Sequence, residues 1–222
     1  RCLTLAVALR ERGAICKFVC REHEGHRNDL VEAHGFALCA LPMPAAASPA
    51  LQQSGYAGWL GCHWTEDAAR TVAALGCDRP DWLVVDHYAL DAEWERAMRS
   101  SVHRIMVIDD LADRMHDADL LLDQNQGRLE GDYASLVPAG CRVLVGARHA
   151  LLRPEFARHR PSSLERRRHP RLRHLLIAMG GADADNATGA VLDALLATDL
   201  PADCRITIAL GSRAPWREAV RE

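Results

Sequence analysis

At 222 residues the chain has room for one large domain or two small ones. It is 49% apolar and 26% charged with a formal net charge of −3, the balance of an ordinary globular protein, and it carries no global attraction for nucleic acid or an anionic membrane. Its apolar runs span only a few residues, far short of the ~20 needed to cross a bilayer.

Residues 1–12 place Leu3, Leu5, Ala6 and Leu9 at helical spacing, and Gly13 ends the run as a C-cap would. No capping residue precedes this helix, so the chain is expected to open inside it, with the first strand of the α/β unit missing. A strand over 14–20, a helix over 26–34 and a strand over 36–41 follow, an alternation that marks a parallel α/β sheet. Residues 42–61 are rich in Pro, Ala, Ser and Gly and read as a long surface loop, a kind that is often functional. A helix over 62–75 precedes a strand ending at Asp86. A helix over 91–100 precedes a strand ending at Asp109, and short strands over 120–123 and 142–145 complete this half.

Residues 158–174 are basic, lack interleaved aromatics and contain Pro161 and Pro170. They read as a solvated linker rather than a nucleic-acid patch. A second α/β unit then starts with a strand over 175–179, the turn Gly180-Gly181, a helix over 186–198, a strand over 205–210 and a helix over 216–222. The expected division is a Rossmann-like domain over 1–152, a basic linker over 153–172, and the truncated start of a second such domain over 173–222.

The eight cysteines contain no Cys-x-x-Cys pair and are scattered. They read as small buried hydrophobes in a reducing cytoplasm, not as a disulfide framework or a zinc site. His23 and His26 lie in a polar turn and read as solvated.

Three apolar runs end in chemically capable side chains: Asp86, His87 and Tyr88; Asp109 and Asp110; Asp123, Gln124 and Asn125. In an open α/β sheet ligands bind outside the carboxyl ends of the strands, so Asp86, His87, Tyr88, Asp109, Asp110, Gln124 and Asn125 are expected to share one rim. Adjacent strand residues point to opposite faces, so Asp109 and Asp110 are not expected to hold one metal ion. Gly180 and Gly181, between a strand and a helix, suit a phosphate approaching free N–H groups. Asp183, Asp185 and Asn186 are alternatively helix caps, Asp185 above all.

Several stretches resemble the UDP-2,4-diacetamido-2,4,6-trideoxy-β-L-altropyranose hydrolases (PseG) of pseudaminic acid biosynthesis. They are Val-Val-Asp-His-Tyr-Ala-Leu-Asp at 84–91, Met-Val-Ile-Asp-Asp-Leu-Ala-Asp-Arg at 106–114, Leu-Asp-Gln-Asn at 122–125, Ala-Leu-Leu-Arg-Pro-Glu-Phe at 150–156 and Ala-Met-Gly-Gly-Ala-Asp at 178–183. The opening Arg-Cys-Leu-Thr-Leu-Ala also fits. The resemblance implies two Rossmann-like domains of the glycosyltransferase-B type with a UDP-sugar in their cleft. It also implies a cytoplasmic enzyme serving flagellin glycosylation. The implied reaction is hydrolysis at the anomeric carbon with inversion, releasing 2,4-diacetamido-2,4,6-trideoxy-L-altrose and UDP without metal or cofactor.

Within the resemblance, Arg1 matches the Arg of a Gly-x-Gly-His-x-x-Arg loop whose His activates water, a His that would lie upstream of this sequence. Tyr88 matches a substrate-contacting Tyr, with His87 and Asp86 as catalytic neighbours. Arg1, Asp109, Asp110, Gln124, Asn125, Gly180, Gly181, Asp183 and Asn186 are the expected substrate-binding residues. Two alternatives stand beside this reading: a UDP-sugar glycosyltransferase of the same fold, and a non-catalytic sugar-nucleotide-binding module.

Overall fold

The computed structural model describes residues 1–44, 55–211 and 214–221. The described chain separates into two compact units, Arg1–Arg153 and Pro154–Glu222. Every strand pairing in both is parallel. The protein is therefore α/β with parallel sheets, as the alternation predicts.

The first unit runs α1 (Cys2–Arg10), β1 (Lys17–Arg21), α2 (Asn28–Ala33), β2 (Ala37–Leu41), α3 (Trp64–Leu75), β3 (Trp82–Val85), α4 (Ala92–Met98), β4 (Arg104–Ile108), β5 (Leu120–Asp123) and β6 (Arg142–Val145). β1 pairs with β2, and β3-β4-β5-β6 form a second sheet in chain order. Alternation along β4 sets the packing. Ile105 and Val107 face Trp94, Met98 and Ala68 on α4 and α3. Met106 and Ile108 face the other way, onto Cys2 and Leu5 of α1. Both faces are thus covered, as a buried parallel sheet requires.

α1 serves both sheets. Its Leu3, Ala6 and Val7 pack with Val31, Phe36 and Phe18 around β1-β2, while Cys2 and Leu5 pack on the larger sheet. The helix therefore bridges the two sheets, and Arg1 at its N-terminus reaches Asp86 and Asp110 beyond the ends of β3 and β4.

The second unit contains α5 (Pro154–Arg166), β7 (His174–Ile177), α6 (Ala187–Leu196) and β8 (Arg205–Ile208), with β7 and β8 paired. Here the sequence reading needs correction. The expected linker holds a 13-residue helix. Pro154 suits its first position, and the pairs Glu155–Arg158 and Glu165–Arg168 sit one turn apart on its surface. The helix expected over 216–222 is a series of turns as far as residue 221, and residue 222 lies outside the described residues.

The expected strand at 14–20 starts only at Lys17, leaving Ile15 fully exposed. Of the expected loop 42–61, residues 45–54 lie outside the described residues, and Gly55–Leu60 form a 3-10 helix. All eight cysteines are free thiols, but only Cys62 is buried and Cys77 is exposed, so most are not the buried hydrophobes expected. No helix among the described residues is long and apolar enough to cross a membrane.

One buried polar pair stiffens α4. Glu95 is 0% exposed; it lies 2.7 Å from His116 Nδ1 and accepts the Asp117 N–H. Glu95→Ala leaves the buried His116 ring without that partner, at about 1–3 kcal/mol, and also frees the half-buried Asp117 N–H. Urea denaturation is expected to show that loss as a lower midpoint with an unchanged slope. A loss below about 0.5 kcal/mol would show instead that the site relaxes freely.

Candidate functional site

The parallel register brings the carboxyl ends of β3, β4 and β5 together, and the acidic residues there divide into a buried and an accessible set. Asp109, Asp123 and Tyr133 are each 0% exposed. The Tyr133 hydroxyl lies 2.9 Å from an oxygen of each carboxylate. Asp109 also accepts the Ala112 N–H at 2.9 Å and faces Arg114 at 3.0 Å. Asp123 accepts from Arg128 Nε at 2.6 Å and from the Asn125 N–H at 2.8 Å. Burial opposes the charge of Asp109, but the Ala112 N–H, Arg114 and Tyr133 more than offset it and hold its pKa below the ordinary carboxylate value.

The expectation that Asp109 contacts a substrate is therefore corrected: its side chain is enclosed by the scaffold. Gln124 and Asn125 each give one amide atom to the scaffold, while Gln124 Nε2 is buried without a partner and Asn125 is exposed. Gln124 Oε1 accepts the Leu151 N–H at 2.6 Å, and the Asn125 amide donates to the Asp110 carbonyl at 2.9 Å.

The accessible set is Arg1, Asp86, Tyr88 and Asp110. Arg1 reaches Asp86 Oδ1 through Nη2 at 2.6 Å and Asp110 Oδ2 through Nη1 at 2.9 Å. Burial opposes its charge, yet the two carboxylates more than compensate and raise its pKa. The Tyr88 hydroxyl donates to Asp110 Oδ2 at 3.1 Å, which raises the phenol's pKa. Asp110 Oδ1 is buried and has no hydrogen-bond partner. Asp109 and Asp110 thus turn to different partners, as strand alternation demands. Cys2, which sequence reasoning passed over, donates to Asp86 Oδ2 at 3.5 Å, and burial together with Asp86 pushes its thiol up to about 12. It is no nucleophile at neutral pH.

His87 closes the turn after β3. Its Nδ1 accepts the Ala89 N–H at 3.1 Å, and its ring also hydrogen-bonds the Trp59 backbone. That second bond carries the Gly55–Leu60 3-10 helix to Tyr88. The Tyr56 ring lies 5.2 Å from the Tyr88 ring and the Trp59 ring 5.7 Å from it. Tyr56 and Trp59 are the principal rim residues that sequence reasoning missed. Their only signal is two aromatics at the end of a Pro/Gly/Ala/Ser-rich stretch.

In the second unit Gly180 takes φ +92°, and a Cβ at Gly180 or Gly181 would meet open space. The α6 N-terminus, however, is closed by its own side chains. Asp183 accepts from the Ala187 and Thr188 N–H groups at 2.9 and 3.0 Å, and Asn186 accepts from Gly189 at 3.1 Å. These two residues, and not Asp185, are the caps. The expectation of free helix N–H groups for a phosphate is corrected accordingly, and the side chains of Asp183 and Asn186 are committed to the helix.

Among the described residues no group of three or more His, Cys, Asp or Glu is arranged to hold a metal ion. Beside the rim an open cavity of about 540 Å³ is lined by Arg128, Glu130, Gly146 and Arg148, among others.

The chain is similar to the UDP-2,4-diacetamido-2,4,6-trideoxy-β-L-altropyranose hydrolase of Campylobacter jejuni, at 31% identity over 134 residues, covering 60% of this chain and 45% of that protein. It is also similar to an uncharacterized protein of Methanocaldococcus jannaschii, at 22% identity over 148 residues, covering 63% of this chain and 29% of that protein. The chain spans less than half the length of these curated relatives. No protein-family model matches it. The first relative bears out the resemblance to the hydrolase family read from the residues.

The His87 turn carries a pH signature. Burial, aided by His23 and opposed by Asp67 and Asp86, lowers its pKa from 6.5, so the folded state favours the neutral ring. The unfolded chain then binds the proton first, and this contribution to stability is complete above about 6.5 and is lost as pH falls through the folded pKa. Protonation also removes the acceptor that Ala89 uses. The melting temperature is expected to fall below about pH 6.5 more steeply in the wild type than in His87→Gln. His23, also lowered by burial, is controlled with His23→Gln. Equal slopes in wild type and His87→Gln would assign the acid sensitivity elsewhere.

Proposed function

We propose that the protein hydrolyses a UDP-linked 2,4-diacetamido-2,4,6-trideoxy sugar in pseudaminic acid biosynthesis. Water attacks the anomeric carbon with inversion, the C–O bond to the nucleotide breaks, and UDP leaves. The observation that carries this reading is the Arg1–Asp110–Tyr88 constellation on the rim, together with the similarity to a UDP-sugar hydrolase.

The roles follow from what each group has left to offer. Asp110 Oδ1 is a desolvated acceptor without a partner, suited to a sugar hydroxyl or acetamido N–H. Tyr88 donates to the same carboxylate and presents its ring beside it. Arg1 is committed to two carboxylates, so it sets their spacing. Asp86 anchors Arg1. His87 has partners on its ring and acts by holding the turn. None of these is a free general base. The resemblance places that base in the Gly-x-Gly-His-x-x-Arg loop ending at Arg1. Arg1 stands at the N-cap position of α1 with its side chain on the rim beside Asp86 and Asp110, and in that motif the His lies three positions before it. A positioned base supplies ~10²–10⁴ in rate, and these 222 residues without that His are expected to turn over more slowly by that factor.

The test uses the protein with the His-bearing loop, a UDP-linked diacetamido sugar and ¹⁸O-water without any acceptor. Label is expected in the free sugar and not in UDP. Tyr88→Phe is expected to lower the rate of UDP release by about tenfold, the loss of one hydrogen bond near 1.4 kcal/mol, and to weaken turnover more than folding. An unchanged rate with a lowered melting temperature would make Tyr88 a packing residue. UDP release only when an acceptor is added would make the protein a transferase.

A further inference from the structure

The rim carries an aromatic surface that the hydrogen-bonded constellation does not use. Tyr56 and Trp59 stand edge to face, with centroids 5.2 Å apart and planes at 83°. Both pack on Tyr88, Tyr56 at 34° and Trp59 at 70°. Nothing among the described residues buries them in return: Tyr56 is 40% exposed and Trp59 is 56% exposed. Large aromatic surfaces gain most from leaving water, so leaving two such rings in solvent forgoes stability the fold would otherwise have. They are also held in place. The Trp59 backbone is tied to the His87 ring, and Tyr88 is tied to Asp110 through its hydroxyl.

We infer that Tyr56, Trp59 and Tyr88 form a stacking platform for the C–H face of the substrate's pyranose ring, with Tyr56 and Trp59 as specificity-determining residues. This rests on the reading of the rim as a sugar-nucleotide site. A pyranose has one edge of hydroxyl or acetamido groups and a face of C–H bonds with partial positive charge. The negative face of an aromatic ring attracts such C–H bonds. The unpartnered Asp110 oxygen supplies the acceptor for the polar edge, and the platform begins at the tyrosine that binds that same carboxylate. The pairing of an aromatic face with a desolvated acceptor favours a carbohydrate over a protein partner, for which three rings would be a small anchor beside the ~800 Å² each side of a stable interface buries. It also favours the sugar over uracil, since uracil needs backbone-type donors and acceptors on its edge rather than a carboxylate beside an arginine already paired.

The test is saturation-transfer NMR on the 222-residue protein, irradiating aromatic protons, with two probes used separately: free 2,4-diacetamido-2,4,6-trideoxy-L-altrose and UDP. In the wild type, saturation is expected to reach the ring C–H protons on one face of the sugar. Trp59→Leu and Tyr56→Leu are each expected to weaken sugar binding about tenfold, with UDP binding and melting temperature unchanged. Trp59→Phe is expected to keep most of the effect. No transfer to the free sugar in the wild type would overturn the inference, whether or not the protein hydrolyses a UDP-sugar. Loss of transfer to the uracil protons in Trp59→Leu, with the sugar signal intact, would overturn it in favour of base stacking. Equal sugar binding by both leucine variants and the wild type would also overturn it and leave the rings to a protein partner. Normal sugar transfer together with failed hydrolysis would sink only the proposed reaction.

Discussion

The Tyr133 hydroxyl is the constraint on which the rim depends. It stands 2.9 Å from Asp109 and 2.9 Å from Asp123, the acids that end two neighbouring strands. A phenol has one proton, so it cannot donate to both carboxylates at once. Two adjacent buried carboxylates repel unless their charge is met. Arg114 meets one at 3.0 Å and Arg128 the other at 2.6 Å. Burial and the two carboxylates raise the phenol's pKa, so it remains a donor. The result ties β4 to β5 with charges that cannot leave without exposing their partners.

That lock reaches the accessible residues through the backbone. Arg128 donates from Nη2 to the Asp110 carbonyl at 2.9 Å, and Asn125 donates to the same oxygen at 2.9 Å. Asp110 is thereby held at the strand end by two groups from the loop after β5. Its side chain is free to face Arg1 and Tyr88. A second brace lies on the opposite flank. Asp67 of α3 pairs with Arg21 at the end of β1 and accepts from the Trp94 indole at 2.9 Å. It ties β1 to both helices on the face opposite α1. A site supported in this way on strand ends and buried pairs keeps its geometry better than one on unsupported loops.

Much of this was legible in the residues. The strand ends at Asp86, Asp109 and Asp123 follow from short apolar runs closed by acids, and the divergence of Asp109 from Asp110 follows from period two. What remained hidden needs three dimensions. Nothing local distinguishes Asp109, enclosed by Tyr133 and Arg114, from Asp110, which is not. Tyr133 lies in a polar stretch with no pattern to mark it as the residue that joins two strands. Asp183 and Asn186 read equally as ligands and as caps until the N–H groups of α6 are assigned to them. The helix at 154–166 escapes because it buries no side chain and so lacks an apolar stripe. Tyr56 and Trp59 sit where the composition signals only a loop.

The most direct measurement is a crystal structure of the protein soaked with the UDP-linked diacetamido sugar. The division of the rim into a buried scaffold and an accessible site predicts a sugar hydroxyl or acetamido N–H within hydrogen-bonding distance of Asp110 Oδ1, with the enclosure of Asp109 and Asp123 undisturbed. Sugar density in the cavity lined by Arg128, Gly146 and Arg148, with Asp110 Oδ1 still bare, would contradict it.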